Sequence, residues 1–136
     1  MTQAIKLSIP HEPPYHGVAR LVVGGLAARL EVSYEQLEDL QLALASVLDE
    51  GSYVRDSQVN VELEIQDGGL SMVVGPLEGR RLRADLEDDS EGRIGLGRLL
   101  RTLVEEVGVE GRPDGEWLRL DKRVHVLRGE ASDGRA

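Results

Sequence analysis

Residues 92–107, GRIGLGRLLRTLVEEV, hold the types and spacings that come nearest to chemistry. Gly95-Leu96-Gly97 opens the run. Leu96, Leu99, Leu100, Leu103, Val104 and Val107 then recur at spacings of three and four, which predicts an amphipathic helix with Arg98, Arg101, Glu105 and Glu106 largely on its other side. Free N–H groups and the helix dipole converge at the start of such a helix, and glycines let a ligand come close, so the turn has the makings of an anion or phosphate site. The same pattern also makes an ordinary flexible helix entrance. Other chemistry is sparse. The absence of cysteine excludes disulfides, thiolate zinc sites and cysteine nucleophiles. His11, His16 and His125 are scattered and lack an H-E-x-x-H spacing, so no metal site is expected.

The elements that must position this turn belong to an ordinary soluble domain. The chain has 136 residues, 40% hydrophobic and 30% charged. That suits one domain with a real core over residues 1–127, followed by a small polar tail at 128–136 that is expected to fray. The apolar run at 18–30 is interrupted by Arg20, Gly24, Gly25 and Arg29, and it is too short to span a bilayer. With no signal-peptide pattern, the expected location is the cytoplasm. A net charge of −9 disfavours nucleic acid as a partner. The basic cluster Arg80, Arg81 and Arg83 is followed at once by Asp85, Glu87, Asp88 and Asp89, and Tyr15, Tyr34, Tyr53 and Trp117 are the only aromatic residues.

Ile5, Leu7 and Ile9 alternate with polar residues and predict a first strand, ended by Pro10, Pro13 and Pro14. A helix is expected over 15–30 with Val18, Leu21, Val22 and Leu26 as its apolar stripe, and Gly24 and Gly25 permitting close packing. The second helix has the clearest start: Ser33 and Gln36 form a capping box, and Val32 and Leu37 a staple. Leu37, Leu40, Leu44, Val47 and Leu48 line its buried face, and Gly51 marks its stop. Val59, Val61, Leu63 and Ile65 alternate along a strand. Asp67-Gly68-Gly69 turns it back into a partner over 70–74, ended by Gly75-Pro76. Residues 77–91 read as a long mobile loop. After the glycine-led helix, Pro113-Asp114-Gly115 turns into a last strand over 116–124, with Trp117 expected in the core. The order is β-α-α-β-β-loop-α-β. It predicts an α+β two-layer sandwich, a mostly antiparallel sheet covered on one face by three helices.

This order, with these fragments, resembles the histidine-kinase-like ATPase domain, or Bergerat fold, and within it the small anti-sigma-factor serine kinases of bacteria. The resemblance runs over residues 4–124. It rests on Ile9-Pro10 with Val18-Ala19-Arg20, on Val32-Ser33-Tyr34-Glu35 through Leu42-Ala43, and above all on Ile94-Gly95-Leu96-Gly97 with Leu99 and Leu100. Val104-Glu105-Glu106-Val107, Asp114-Gly115 and residues 118–122 follow in the family's order and spacing.

The resemblance implies a nucleotide site, but this chain departs from it. In the family the second helix carries a glutamate general base and, four residues later, an asparagine that holds Mg²⁺. A spacing of four puts both on one helix face. The matching positions here are Ser46 and Glu50, and the only asparagine is Asn60, in a strand. The family's D-x-G-x-G box, whose aspartate bonds the adenine amino group, matches Val73-Val74-Gly75-Pro76-Leu77. Serine cannot replace a carboxylate base, and valine cannot accept the adenine's hydrogen bond. Ser46, Glu50, Val73, Gly75, Gly95 and Gly97 are therefore expected as vestigial nucleotide-site positions. Kinase activity and ATP binding are expected to be lost, and no catalytic residue, cofactor or metal is assigned.

The resulting expectation is a regulatory protein-binding module of the anti-sigma-factor type. By resemblance its partners are a sigma factor and an anti-anti-sigma protein, with a possible homodimer and residues 18–30 as the contact surface. One alternative is a divergent ATP-dependent serine/threonine kinase in which Glu50 takes over metal or base work. Another is an apolar small molecule in a pocket lined by Val73, Val74 and Leu77. Filling of that pocket by the chain's own side chains, Leu77 especially, is preferred. The stretch from Arg80 to Glu91 takes the place of the family's ATP lid and is expected to be disordered, or paired between its arginines and Glu87, Asp88 and Asp89.

Overall fold

The computed structural model describes residues 3–30, 32–48, 53–54, 56–66, 68–88 and 95–124. Nine elements follow in order: β1 (Gln3–Pro10), α1 (Pro13–Arg29), α2 (Tyr34–Leu48), β2 (Gln58–Gln66), β3 (Gly69–Leu77), α3 (Gly79–Glu87), α4 (Leu96–Leu103), β4 (Glu106–Arg112) and β5 (Gly115–Arg123). The strands form one antiparallel sheet in the order β1-β2-β3-β5-β4. The helices cover one face, giving the expected α+β sandwich with four helices among the described residues rather than three.

Alternation sets the two faces of the sheet. Ile9, Val59, Val61, Leu63, Leu70, Met72, Val74, Leu118 and Leu120 point inward and meet Ala19, Val23, Leu40, Leu44, Leu82 and Leu100 from the helices. Gly68 turns β2 into β3 with φ 75°, which glycine adopts at no steric cost. β3 does not stop at Gly75-Pro76 as expected. It runs on to Leu77, with a register shift against β5 between Val74 and Leu77.

α2 begins as its sequence predicts. The Ser33 hydroxyl accepts from the Gln36 N–H at 3.2 Å and donates to the Gln36 side-chain oxygen at 3.2 Å. Leu40, Leu44, Val47 and Leu48 are buried, joined by Ala43 and Ser46. The expected stop at Gly51 lies outside the described residues.

Three further expectations are corrected. α1 buries His16, Ala19, Val23 and Ala27 most deeply; of the predicted stripe, Val22 and Leu26 pack against the core but Val18 and Leu21 do not. Val18 is 40% exposed and Leu21 75%. The helix is apolar almost all round, so hydrophobicity alone does not select a face, and the small Ala19 and Ala27 allow the closer approach. Gly24 does lie toward α2, 3.2 Å by an ideal Cβ from the Gln41 amide nitrogen, while Gly25 faces open space.

The stretch read as a mobile loop contains α3. Both carboxylate oxygens of Glu78 accept from the backbone, from Arg80 N at 3.3 Å and Arg81 N at 2.9 Å, so the helix has an N-cap. Leu82 and Leu86, four apart, anchor it in the core. The expected pairing of its arginines with Glu87 and Asp88 is replaced by Arg83 with Glu116 at 2.9 Å and Arg81 with Asp85 at 4.0 Å. Asp89, Glu91 and the rest of 89–94 lie outside the described residues, as does the tail at 128–136.

Finally, α4 ends at Leu103, not Val107. Val104 is extended (φ −133°, ψ 161°), and Glu106 begins β4. Leu103, Val104 and Val107 fit a helical period, but Val107 and Val109 also alternate, and pairing with β5 decides between the two.

Candidate functional site

The glycine turn sits at the N-terminus of α4 with Gly95 as N-cap (φ −75°, ψ 166°) and no side-chain cap. What faces it is the end of α3. A Cβ at Gly97 would collide with the Leu86 carbonyl oxygen, and one at Gly95 would stand 2.6 Å from the Asp88 carbonyl oxygen. The Arg101 guanidinium donates to the same Leu86 oxygen at 3.5 Å. Backbone carbonyls therefore lie against both glycines. They are acceptors, as phosphate oxygens are, and they repel an anion rather than bind it.

On α2, Ser46 is buried, and its hydroxyl donates to the Leu42 carbonyl of its own helix at 2.8 Å. That bond commits the one proton the Ser46 hydroxyl can donate. Glu50 lies outside the described residues. Leu77 and Leu82 are fully buried in the cluster that also holds Leu100, so apolar side chains fill the space between β3, α3 and α4.

Val73 and Gly75 stand apart from these residues. They alternate with the inward Met72 and Val74, and so face the side of the sheet away from the helices. Val73 is buried there, paired in register with Glu62 and Arg119. Gly75 lies under Trp117, whose ring a Cβ would approach to 2.6 Å. Trp117 is buried, as expected, but on this outer face. Its indole N–H donates to Asp114 at 2.8 Å, and the Arg112 guanidinium lies 4.1 Å over its ring. The structure thus brings Ser46, Gly95 and Gly97 to the helix side, and sends Val73 and Gly75 to the other.

That outer face carries a charge ladder that the sequence reading missed. Arg112 holds Glu62 through two hydrogen bonds, at 3.1 and 3.2 Å, and reaches Glu110 at 3.0 Å. Arg119 bonds Glu64 at 3.1 Å and approaches Asp121, which accepts from Ser71. The hydrogen bonds Arg112 donates to Glu62, reinforced by Glu110 and opposed by burial, raise the Arg112 pKa above its ordinary value. The signal lay in alternating charges of opposite sign on β2 and β4–β5, legible only once strand order is known.

No family model matches the chain. Its relatives are more informative. It is 29% identical to the serine-protein kinase RsbW of Bacillus pumilus (strain SAFR-032) over 126 residues, covering 78% of this chain and 77% of that one. It is 27% identical to the protein of the same name from Bacillus subtilis (strain 168), over 95% of this chain and 89% of the relative. With that of Listeria monocytogenes serovar 1/2a it shares 30% identity over 125 residues, 79% of either chain. The chain belongs to the RsbW serine-protein kinase family. The resemblance to anti-sigma-factor serine kinases drawn from its glycine turn and flanking helices is borne out.

Set within the RsbW family, two features of the helix layer gain meaning. α3 fills the segment between Gly75 and the Gly95-Leu96-Gly97 turn with a helix seated on that turn. Tyr15, Val18 and Leu21 expose an apolar strip along α1, beside a shallow depression lined by Pro14, Gly17, Val18, Arg20, Leu21 and Gln41. Among the described residues no helix is long and apolar enough to cross a membrane.

Proposed function

We propose that this chain is an anti-sigma-factor type regulator that acts by protein contact, without phosphotransfer and without a bound nucleotide. The observation that carries this reading is the seating of α3: the Leu86 and Asp88 carbonyls lie against Gly97 and Gly95. The residues present do not fit a magnesium nucleotide. Acceptors face the turn where phosphates would need donors, Ser46 offers no carboxylate base, and Val73 lies on the far side of the sheet. The relatives are named serine-protein kinases, and that activity is not carried over to this chain.

The exposed strip Tyr15, Val18 and Leu21 supports contact with a partner. A sigma factor or an anti-anti-sigma protein is the partner that family membership suggests. Titration of the intact protein with Mg-ATP, Mg-ADP and Mg-GTP by calorimetry tests the reading, with a thermal-shift control. No heat and no shift are expected. A ligand at 100 times its Kd would stabilise the fold by about 2.7 kcal/mol, which a melting curve reads easily. Tight Mg-dependent binding would sink the proposal and restore the divergent kinase, with phosphotransfer to an anti-anti-sigma protein as the next assay.

A further inference from the structure

Tyr53 grips α3 at both ends. Its backbone carbonyl accepts from Glu78 N, the N-cap residue, at 2.6 Å. Its buried hydroxyl donates to the Asp85 carboxylate, two residues before the helix ends. α3 is also tied by Arg83, which pairs with Glu116 at 2.9 Å, and by Arg101, which donates to the Leu86 carbonyl at 3.5 Å. It is nine residues long, too short to be stable alone, and it packs mainly on α4 and β5. Leu82 and Leu86 are its apolar anchors, while Arg80, Arg81, Arg83 and Glu87 face outward. The Tyr53–Asp85 bond, together with Arg101 on the Leu86 carbonyl, ties its last turn down toward Gly95 and Gly97.

We infer that α3 is a latched stopper, kept over the glycine turn by Tyr53 and able to lift as a unit when the Tyr53–Asp85 bond is broken. The inference rests on the reading above only in taking that turn as the family's nucleotide turn. In the seated state the chain's own main chain closes the turn. In the lifted state the start of α4 is open to solvent. A partner that competes for Asp85, which is partly exposed at the helix surface, would shift this balance.

Hydrogen exchange on the intact protein tests it, comparing wild type with Tyr53→Phe, Asp85→Ala and Asp85→Asn. One hydrogen bond of this kind corresponds to about tenfold in an opening equilibrium. Amides of residues 82–87 are therefore expected to exchange about tenfold faster in Tyr53→Phe and Asp85→Ala. They should stay near wild type in Asp85→Asn, which keeps an acceptor. Amides of Val61, Met72 and Leu120 should not change. Unchanged α3 exchange in both disrupting variants would overturn the latch. So would α3 and sheet amides accelerating together, since α3 would then open only with the whole fold. No nucleotide enters this experiment: Mg-ATP binding would refute the contact-only reading and leave the latch standing, and the reverse also holds.

Discussion

At Gly97 a missing side chain has two explanations with different consequences. A glycine kept for a phosphate would accept alanine with little change in stability. A glycine kept for packing would not, because the Cβ meets the Leu86 carbonyl, main chain with no rotamer to yield. Alanine gains about 1 kcal/mol of helix propensity, yet overpacking of a fixed contact costs about 1–3 kcal/mol. The collision is severe enough that the second effect should win. Gly97→Ala is expected to lower the urea midpoint, and an unchanged or raised midpoint would show that α3 is not pressed against the turn. Arg112 makes a second case. It joins Glu62, Glu110 and the Trp117 ring, so Arg112→Ala should cost about 1–2 kcal/mol. Its folded pKa is raised, so its contribution is fully present below the unfolded value and is lost only as pH rises past both. Both lie far above neutrality. The stability gap between wild type and Arg112→Ala should therefore stay flat from about pH 6 to pH 9, and a gap closing within that window would contradict the assignment.

The helices differ in how much of them the sequence discloses. α2 was readable because its cap, period and buried face agree: Ser33 and Gln36 start it, and leucines fall on one stripe. α1 was readable as a helix but only half as a face: Val22 and Leu26 pack on the core, while close packing selects the alanines over Val18 and Leu21. α3 was hidden by its charges. Its two leucines are four apart within a run of arginine and aspartate, a pattern that also suits a solvated loop, and Tyr53 and α4 supply what holds it. β4 was hidden because its valines extend the helical period of α4, and only β5 beside it decides otherwise. The departures of Ser46 and Val73 from the residue types that the resemblance implies could be seen in sequence, but the packing of α3 on the glycine turn could not, because α3 itself was hidden. The face of α1 gives a direct check. Leu21→Glu, on the exposed side, should change stability by no more than about 0.5 kcal/mol and abolish capture of the proposed sigma-factor partner. Val23→Glu, on the buried side, puts an unpaired charge in the core and should cost more than about 4 kcal/mol. Equal melting temperatures for the two variants would mean the helix faces are misassigned.

Over the whole molecule, charge and apolar surface are separated in a way that selects a docking face. The outer side of the sheet is occupied by a ladder whose arginines already hold carboxylates, and Trp117 and Val73 are buried beneath it. A partner landing there would have to break those pairs before making its own. The strip Tyr15, Val18 and Leu21 carries no such obligation, because covering it removes apolar surface from water at no electrostatic cost. The protein carries a net charge of −9, so any partner approaching by charge alone would bind more weakly as salt rises. These two modes separate in one titration. If the α1 strip dominates, raising NaCl from about 0.1 M to about 0.5 M shortens the screening length about twofold but should lower the affinity for the proposed sigma-factor partner by less than about threefold, since burial of apolar area is not screened. A fall of tenfold or more would assign the contact to acidic residues such as Glu35 and Glu38 on α2. The Leu21→Glu variant would then bind as well as wild type in low salt.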